Sequence, residues 1–292
     1  VSEENAQADD ASNLEMFDDS AEELNVETEA DSSENVEQEA EAENGFSDGD
    51  ATVAGEGDSS EVVDSGSCGN DATYTLYGDG RLVIEGGGVV SSWQFENDER
   101  IRSVEVGEGI TSLEYRTWSG IFEDCKNLTS VTLPKSLTSL GNYTFSGCSG
   151  LTSINIPDGV TTIESSTFYS CSGLQSIVLP ESVTTIGESA FQYCSSLSNI
   201  VLPEILTTLG ENAFGNCEKL SNVTLSKNLK SVGAGAFHNT EIKEVSLPDS
   251  LTDIGTGVFS DCSDLRSVKL PSEIKRINNS MFSGCERLNS IV

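Results

Sequence analysis

Phenylalanine recurs at Phe122, Phe145, Phe168, Phe191, Phe214, Phe237, Phe259 and Phe282, at spacings of 23, 23, 23, 23, 23, 22 and 23 residues. A period in the twenties defines units too small to bury a core alone, so each must stack on its neighbours as a solenoid. The unit reads L-x-x-[IV]-x-[LI]-P-x-x-[VLI]-x-x-[IVL]-G-x-x-x-F-x-x-C-x-x, with Gly in most copies. Its starts are Ile101, Leu128, Leu151, Leu174, Leu197, Leu220, Ile242, Leu265 and Leu288, giving eight units and a truncated ninth. All six prolines share one register, Pro134, Pro157, Pro180, Pro203, Pro248 and Pro271, and Ser226 takes the vacant slot.

Each unit translates into local structure. LTSINI (151–156) alternates, predicting a short strand with Ile154 and Ile156 inward. Pro157 has no N–H to give and ends the ladder. A second extended piece, VTTIE (160–164), turns Val160 and Ile163 inward, and S-x-x-F-x-x-C closes the coil, read as a turn of helix or 3₁₀ structure. Two units depart from the pattern. Four extra residues fall within EYRTWSG, between Leu113 and Phe122, and the FHNTEI unit is one residue short with Thr240 in place of Cys.

Charge divides the chain near residue 68. Residues 1–67 hold 23 Asp and Glu and no Lys, Arg or His, whereas the remainder holds 26 acids and 15 bases. The first stretch has only Phe17 and Phe46 as aromatics, too little apolar surface to offset about 1–2 kcal/mol of backbone ordering per residue, so it is expected to be a disordered acidic spacer. A net charge of −34 repels phosphate backbones and anionic lipid, which argues against nucleic acid and peripheral membrane binding. No run of 18 apolar residues exists to span a bilayer. The chain opens VSEEN without methionine, as either a mature form stripped of a secretion signal or a recombinant fragment would.

These units resemble the BspA-like class of leucine-rich repeats over residues 101–292, with the order L-x-x-I-x-[IL]-P, V-x-x-I-G and A-F-x-x-C. The preceding CGNDATYTLYGDGRLVIEGGG (68–88) looks like the N-terminal cap of bacterial surface members, and its YTLY–GDG–RLVI core reads as a β-hairpin. The expected organisation is therefore a spacer (1–67), a cap (68–100) and a β-rich solenoid of short strands and helical or 3₁₀ turns (101–292). The resemblance implies a secreted or cell-surface protein that adheres to host or bacterial partners. The competing readings are the front portion of a longer surface enzyme whose other domain follows residue 292, and a plain structural spacer. A monomer is expected.

Seven of the eight cysteines, Cys125, Cys148, Cys171, Cys194, Cys217, Cys262 and Cys285, stand three residues after the phenylalanines. Tetrahedral metal sites need converging ligand pairs, whereas stacking makes these thiols a line, so no metal is expected. A catalytic thiolate needs a base, and the single histidine, His238, sits in the one unit without the cysteine, where it reads as a loop residue. Disulfides between adjacent rungs meet the distance criterion, but parallel Cβ vectors and an odd count oppose them. The remaining reading is a buried ladder of small thiols beside Phe, each donating a weak S–H bond to a neighbouring carbonyl.

With the interior filled, binding falls to outward positions. On the first strand these include Asn155, Val178, Asn199, Val201, Asn222 and Thr224, mostly amides and hydroxyls with an apolar step at the two valines. No acid pair, aromatic platform or His cluster stands there, so neither an enzyme site nor a cofactor is expected. Tyr115, Arg116 and Trp118 in the insertion form a second candidate, since these residue types dominate interface hot spots. The alternative for Trp118 is to cover the first rung near Trp93 and Phe95 of the cap.

Overall fold

The computed structural model describes residues 61–114, 119–274 and 276–292. Among these there is no helix; the architecture is a β-solenoid of about nine turns. It begins with a three-stranded antiparallel meander, β1 (Val62–Ser67), β2 (Asp71–Tyr77) and β3 (Arg81–Val90). The β2–β3 hairpin pairs Tyr74 with Ile84 and Leu76 with Leu82. Its turn uses Gly80 at φ +87°, a conformation open to glycine at no steric penalty, and Asp79 accepts the Arg81 N–H at 3.0 Å. Strand β1 pairs Gly66 with Tyr74 and Ser67 with Thr73, so residues 62–67, assigned to the spacer from sequence, form part of the cap sheet. The rest of the acidic stretch, 1–60, lies outside the described residues.

The cap and the repeats share one strand. Arg81–Ile84 of β3 runs parallel to β4 (Ser103–Val106), and Gly88–Val90 runs parallel to β5 (Ile110–Leu113). Strand β3 is thus itself a rung, on which the solenoid continues.

Each later rung places a three-residue strand on one face: β6 (Ser130–Thr132), β7 (Ser153–Asn155), β9 (Ser176–Val178), β11 (Asn199–Val201), β13 (Asn222–Thr224), β15 (Glu244–Ser246) and β17 (Ser267–Lys269), with β18 (Ser290–Ile291) last. A second face carries two-residue strands, β8 (Thr162–Ile163), β10 (Thr185–Ile186), β12 (Thr208–Leu209), β14 (Ser231–Val232) and β16 (Asp253–Ile254), joined as one parallel sheet. The inward residues follow the alternation expected: Ile154, Ile156, Val160 and Ile163 are all buried. On the second face each rung approaches its neighbour so closely that a Cβ on Gly210 would come within 2.4 Å of the Gly187 carbonyl carbon, which is why glycine recurs there.

The Phe segment differs from the helical turn expected. Its backbone enters the left-handed region two residues after every phenylalanine (Asp124, Gly147, Ser170, Tyr193, Asn216, Asn239, Asp261 and Gly284, φ from 52° to 73°). It does so again two residues before each from Phe145 onward, as at Ser166, Ser189 and Asn212. Left-handed residues on both sides leave too few consecutive right-handed residues for helix, so the segment is a chain of turns. These turns bond rung to rung instead: Phe168 N–H donates to Ala190 O at 2.9 Å and Phe191 N–H to Ala213 O at 2.8 Å.

Phenylalanines 122 to 259 of the series are fully buried, and neighbouring rings stack at 5.1–6.1 Å and within 15° of parallel. The column extends one rung into the cap, because Phe95 stacks on Phe122 at 5.7 Å. Tyr74 closes it edge-on at 5.0 Å and 84°, with its hydroxyl donating to Asp64 of β1 at 3.1 Å. This is how the meander seals an otherwise open core edge.

Candidate interaction face

The thiols lie behind the phenylalanines and are occupied. Each donates to the carbonyl of the phenylalanine one rung back: Cys125 to Phe95 O at 2.9 Å, Cys148 to Phe122 O at 3.1 Å, Cys171 to Phe145 O at 3.0 Å, and likewise through Cys194, Cys217, Cys262 and Cys285. All are free thiols. Burial disfavours the thiolate, pushing Cys125 up to about 12 and raising Cys148, Cys171, Cys194, Cys217 and Cys262 above the usual thiol range. Such thiols are poor nucleophiles at neutral pH. Where Thr240 replaces cysteine the ladder changes partner: its hydroxyl bonds Phe237 O of its own rung at 3.0 Å, not Phe214 O one rung back, and meets the Cys262 sulfur at 3.2 Å.

His238 is held on both ring nitrogens. Nδ1 faces Gly235 O at 2.8 Å, which can only accept, so Nδ1 carries the proton and Nε2 accepts from the Asn216 amide at 2.7 Å. Asn239 in turn donates to Asn216 Oδ1 at 2.9 Å. The ring is a structural tie across the short rung. Among the described residues no three His, Cys, Asp or Glu side chains gather where they could share a metal ion.

Six of the candidate binding residues share the first face. Parallel pairing sets Asn155 beside Val178, Asn199 beside Asn222 and Val201 beside Thr224. Strands β9 and β11 lie side by side, so Val178 and Val201 occupy equivalent outward positions on adjacent rungs. Val178 and Val201 are 70% and 69% exposed, and their strands belong to two separate two-stranded ladders, β7–β9 and β11–β13. From Thr129 to Thr224 every outward strand position is Ser, Thr, Asn, Gln or Val; charge resumes only at Arg102 and Glu105 on one side and at Lys243 and Glu244 on the other. Tyr115, Arg116 and Trp118 lie outside the described residues. Of the cap aromatics expected beside Trp118, Phe95 is a core ring and Trp93 is 65% exposed.

The sequence reading missed the Pro-turn that borders this face. Asp158, Glu181 and Glu204 each directly follow the proline of their rung, all exposed and in one column. Ile205 beside Glu204 is exposed too. The signal was present: an acid at Pro+1 in three consecutive units, flanked by Lys135 and Lys227 at the same register.

The repeat pattern and this geometry define a leucine-rich repeat protein of bacterial type. The chain belongs to the BspA type leucine-rich repeat region family, which matches residues 89–204 and 184–292 in six copies. A search of curated proteins returns no match. Among solved structures, the chain is similar to a leucine-rich repeat protein from Bacteroides ovatus at 24% identity, TM-score 0.58, covering 76% of this chain and 69% of that one, a likeness of fold. It is also similar to the T. pallidum leucine-rich repeat protein TpLRR at 28% identity, TM-score 0.53, covering 66% and 86% respectively. The family and fold are typically non-catalytic, and leucine-rich repeat proteins generally mediate protein interactions. Among the described residues no helix is long and apolar enough to cross a membrane.

Proposed function

We propose that this chain is a non-catalytic, secreted or cell-surface recognition protein that binds a protein partner, and that the outward face of β7, β9, β11 and β13 is its binding surface. One observation carries the reading: in a chain of net charge −34, this face is free of charge across consecutive rungs and exposes two adjacent valines. Interfaces deplete charge at their centre and keep it at the rim, and a desolvated centre is where binding energy concentrates. The interior supports the same reading, since the thiols and the histidine are all consumed by packing and internal hydrogen bonds. Adhesion to a host or bacterial surface partner is the role this arrangement serves. The test uses the full chain, immobilised, with separately prepared host-cell and bacterial surface-protein fractions. Saturable binding from one fraction should fall at least about tenfold in Asn155→Arg/Val201→Arg, since an unpaired charge is buried at the centre of the contact, with the melting temperature unchanged. Binding that ignores this substitution would remove the face from consideration.

A further inference from the structure

We infer that the partner of this face is basic: it sets an aliphatic side chain on Val178 and Val201 and Lys or Arg side chains against Asp158, Glu181 and Glu204. This inference rests on the recognition reading above and names the chemistry of its partner. In three successive rungs the last outward strand residue is followed, three positions on, by a carboxylate: Asn155 by Asp158, Val178 by Glu181, Val201 by Glu204. The apolar pair and the acid column are thus adjoining strips, and exposed Ile205 follows Glu204 on the far side of the column at the third rung.

Cations stand only at the ends of the column, Lys135 one rung before Asp158 and Lys227 one rung after Glu204. No Lys, Arg or His occurs between Ser136 and Glu218, and the ion pairs among the described residues all involve Arg81, Arg100 or Arg287. Lys135 and Lys227 at the same register bound the row to three rungs. Rung spacing of about 4.8 Å makes it about 10 Å long and holds like charges near one another, so a cation laid across them relieves repulsion built into the free surface. The Glu181 carboxylate also accepts the Glu204 N–H at 3.4 Å, which orients one oxygen on the scaffold and leaves the other to a ligand.

The same features reject the alternatives. A metal ion would need three converging donors, which the described residues do not provide. A neutral glycan would want an aromatic platform, and the strand face of these rungs has none. An acidic partner would be repelled at long range by the chain's net charge and at short range by the column. A basic segment with an aliphatic anchor meets both strips at once.

The test pans a phage-displayed library of random dodecapeptides on the full chain, then measures the recovered peptides on two variants. Val178→Thr/Val201→Thr keeps β-branching while removing apolar surface. Glu181→Gln/Glu204→Gln keeps the side-chain acceptor for the Glu204 N–H while removing charge. The expected peptides carry Lys or Arg beside Val, Leu or Ile and bind each variant about tenfold more weakly. Their affinity falls steeply with added salt on the parent and only slightly on the Gln variant, since charge attraction is what salt screens. Peptides lost on the Thr variant but indifferent to the Gln variant overturn the basic partner and leave the recognition face standing. Peptides indifferent to both variants, or no enrichment over uncoated wells, overturn the face as well.

Discussion

Raising the pH should unfold the solenoid by titrating its row of thiols. Cys125, Cys148, Cys171, Cys194, Cys217 and Cys262 are buried, bonded to carbonyls, and raised by burial, Cys125 to about 12. In the unfolded chain each ionises near about 8.5. A group whose folded pKa lies above its unfolded one contributes stability that is fully present below the unfolded value and lost as pH rises toward the folded value. Above about pH 8.5 the unfolded chain therefore releases protons that the folded chain keeps; for the five raised furthest, Cys125, Cys148, Cys171, Cys194 and Cys217, stability falls by about 7 kcal/mol per pH unit. At pH 9.5 these five together have removed about 7 kcal/mol, a loss on the scale of a whole domain's stability of about 5–15 kcal/mol. The assay is urea unfolding followed by circular dichroism from pH 7 to 10 under reducing conditions, on the parent and on Cys171→Ala/Cys194→Ala/Cys217→Ala. The variant starts less stable, because three buried thiols and their bonds to carbonyls are gone. Its slope with pH should nevertheless be shallower than the parent's by about 4 kcal/mol per pH unit, because three linked protons are gone. Tyrosine and lysine titrate in both proteins and cancel in the comparison. Parallel curves, or thiolate absorbance appearing in the folded parent below pH 10, would refute the reasoning.

Two further outcomes test the column directly. Phe191→Ala removes a fully buried ring stacked at 5.3 and 5.1 Å on both neighbours and should destabilise by about 3–5 kcal/mol in urea unfolding; Tyr193→Ala, two residues on and 43% exposed, should change stability by less than about 1 kcal/mol. Equal losses would mean that the stacked rings are not what holds the rungs. Alkylation under denaturing, non-reducing conditions should label most of the seven ladder cysteines, while the native protein at neutral pH should label slowly; mass spectrometry that finds them mostly blocked would replace the thiol ladder with disulfides.

What the sequence could reveal follows from which interactions leave a period. Strand, proline and phenylalanine recur because every rung must repeat the same burial, so the architecture, its inward residues and even the thiol-to-carbonyl bond were readable as a column. The first rung escaped because the four-residue insertion hides its register: Phe95 precedes Phe122 by 27 residues, which is 23 plus the insertion, and it precedes Ile101 by six as Phe122 precedes Leu128. The turn conformation escaped for a different reason. The left-handed positions beside each phenylalanine are filled by Ser, Asn, Asp, Tyr and Gly in turn, because the constraint acts on the backbone and several side chains tolerate it where rung-to-rung hydrogen bonds compensate. The binding strip is harder still. Solubility allows almost any polar residue outward, so a partner's demands appear only as local departures from the repeat, such as valine at two outward positions and acid at three consecutive Pro+1 positions. Each departure taken alone is an ordinary surface substitution. They acquire meaning because parallel stacking sets residues 23 apart in sequence about 4.8 Å apart in space, turning two valines into an apolar strip and three carboxylates into a row beside it. In a solenoid, then, the period reports the scaffold, and exceptions that coincide on neighbouring rungs point to the ligand.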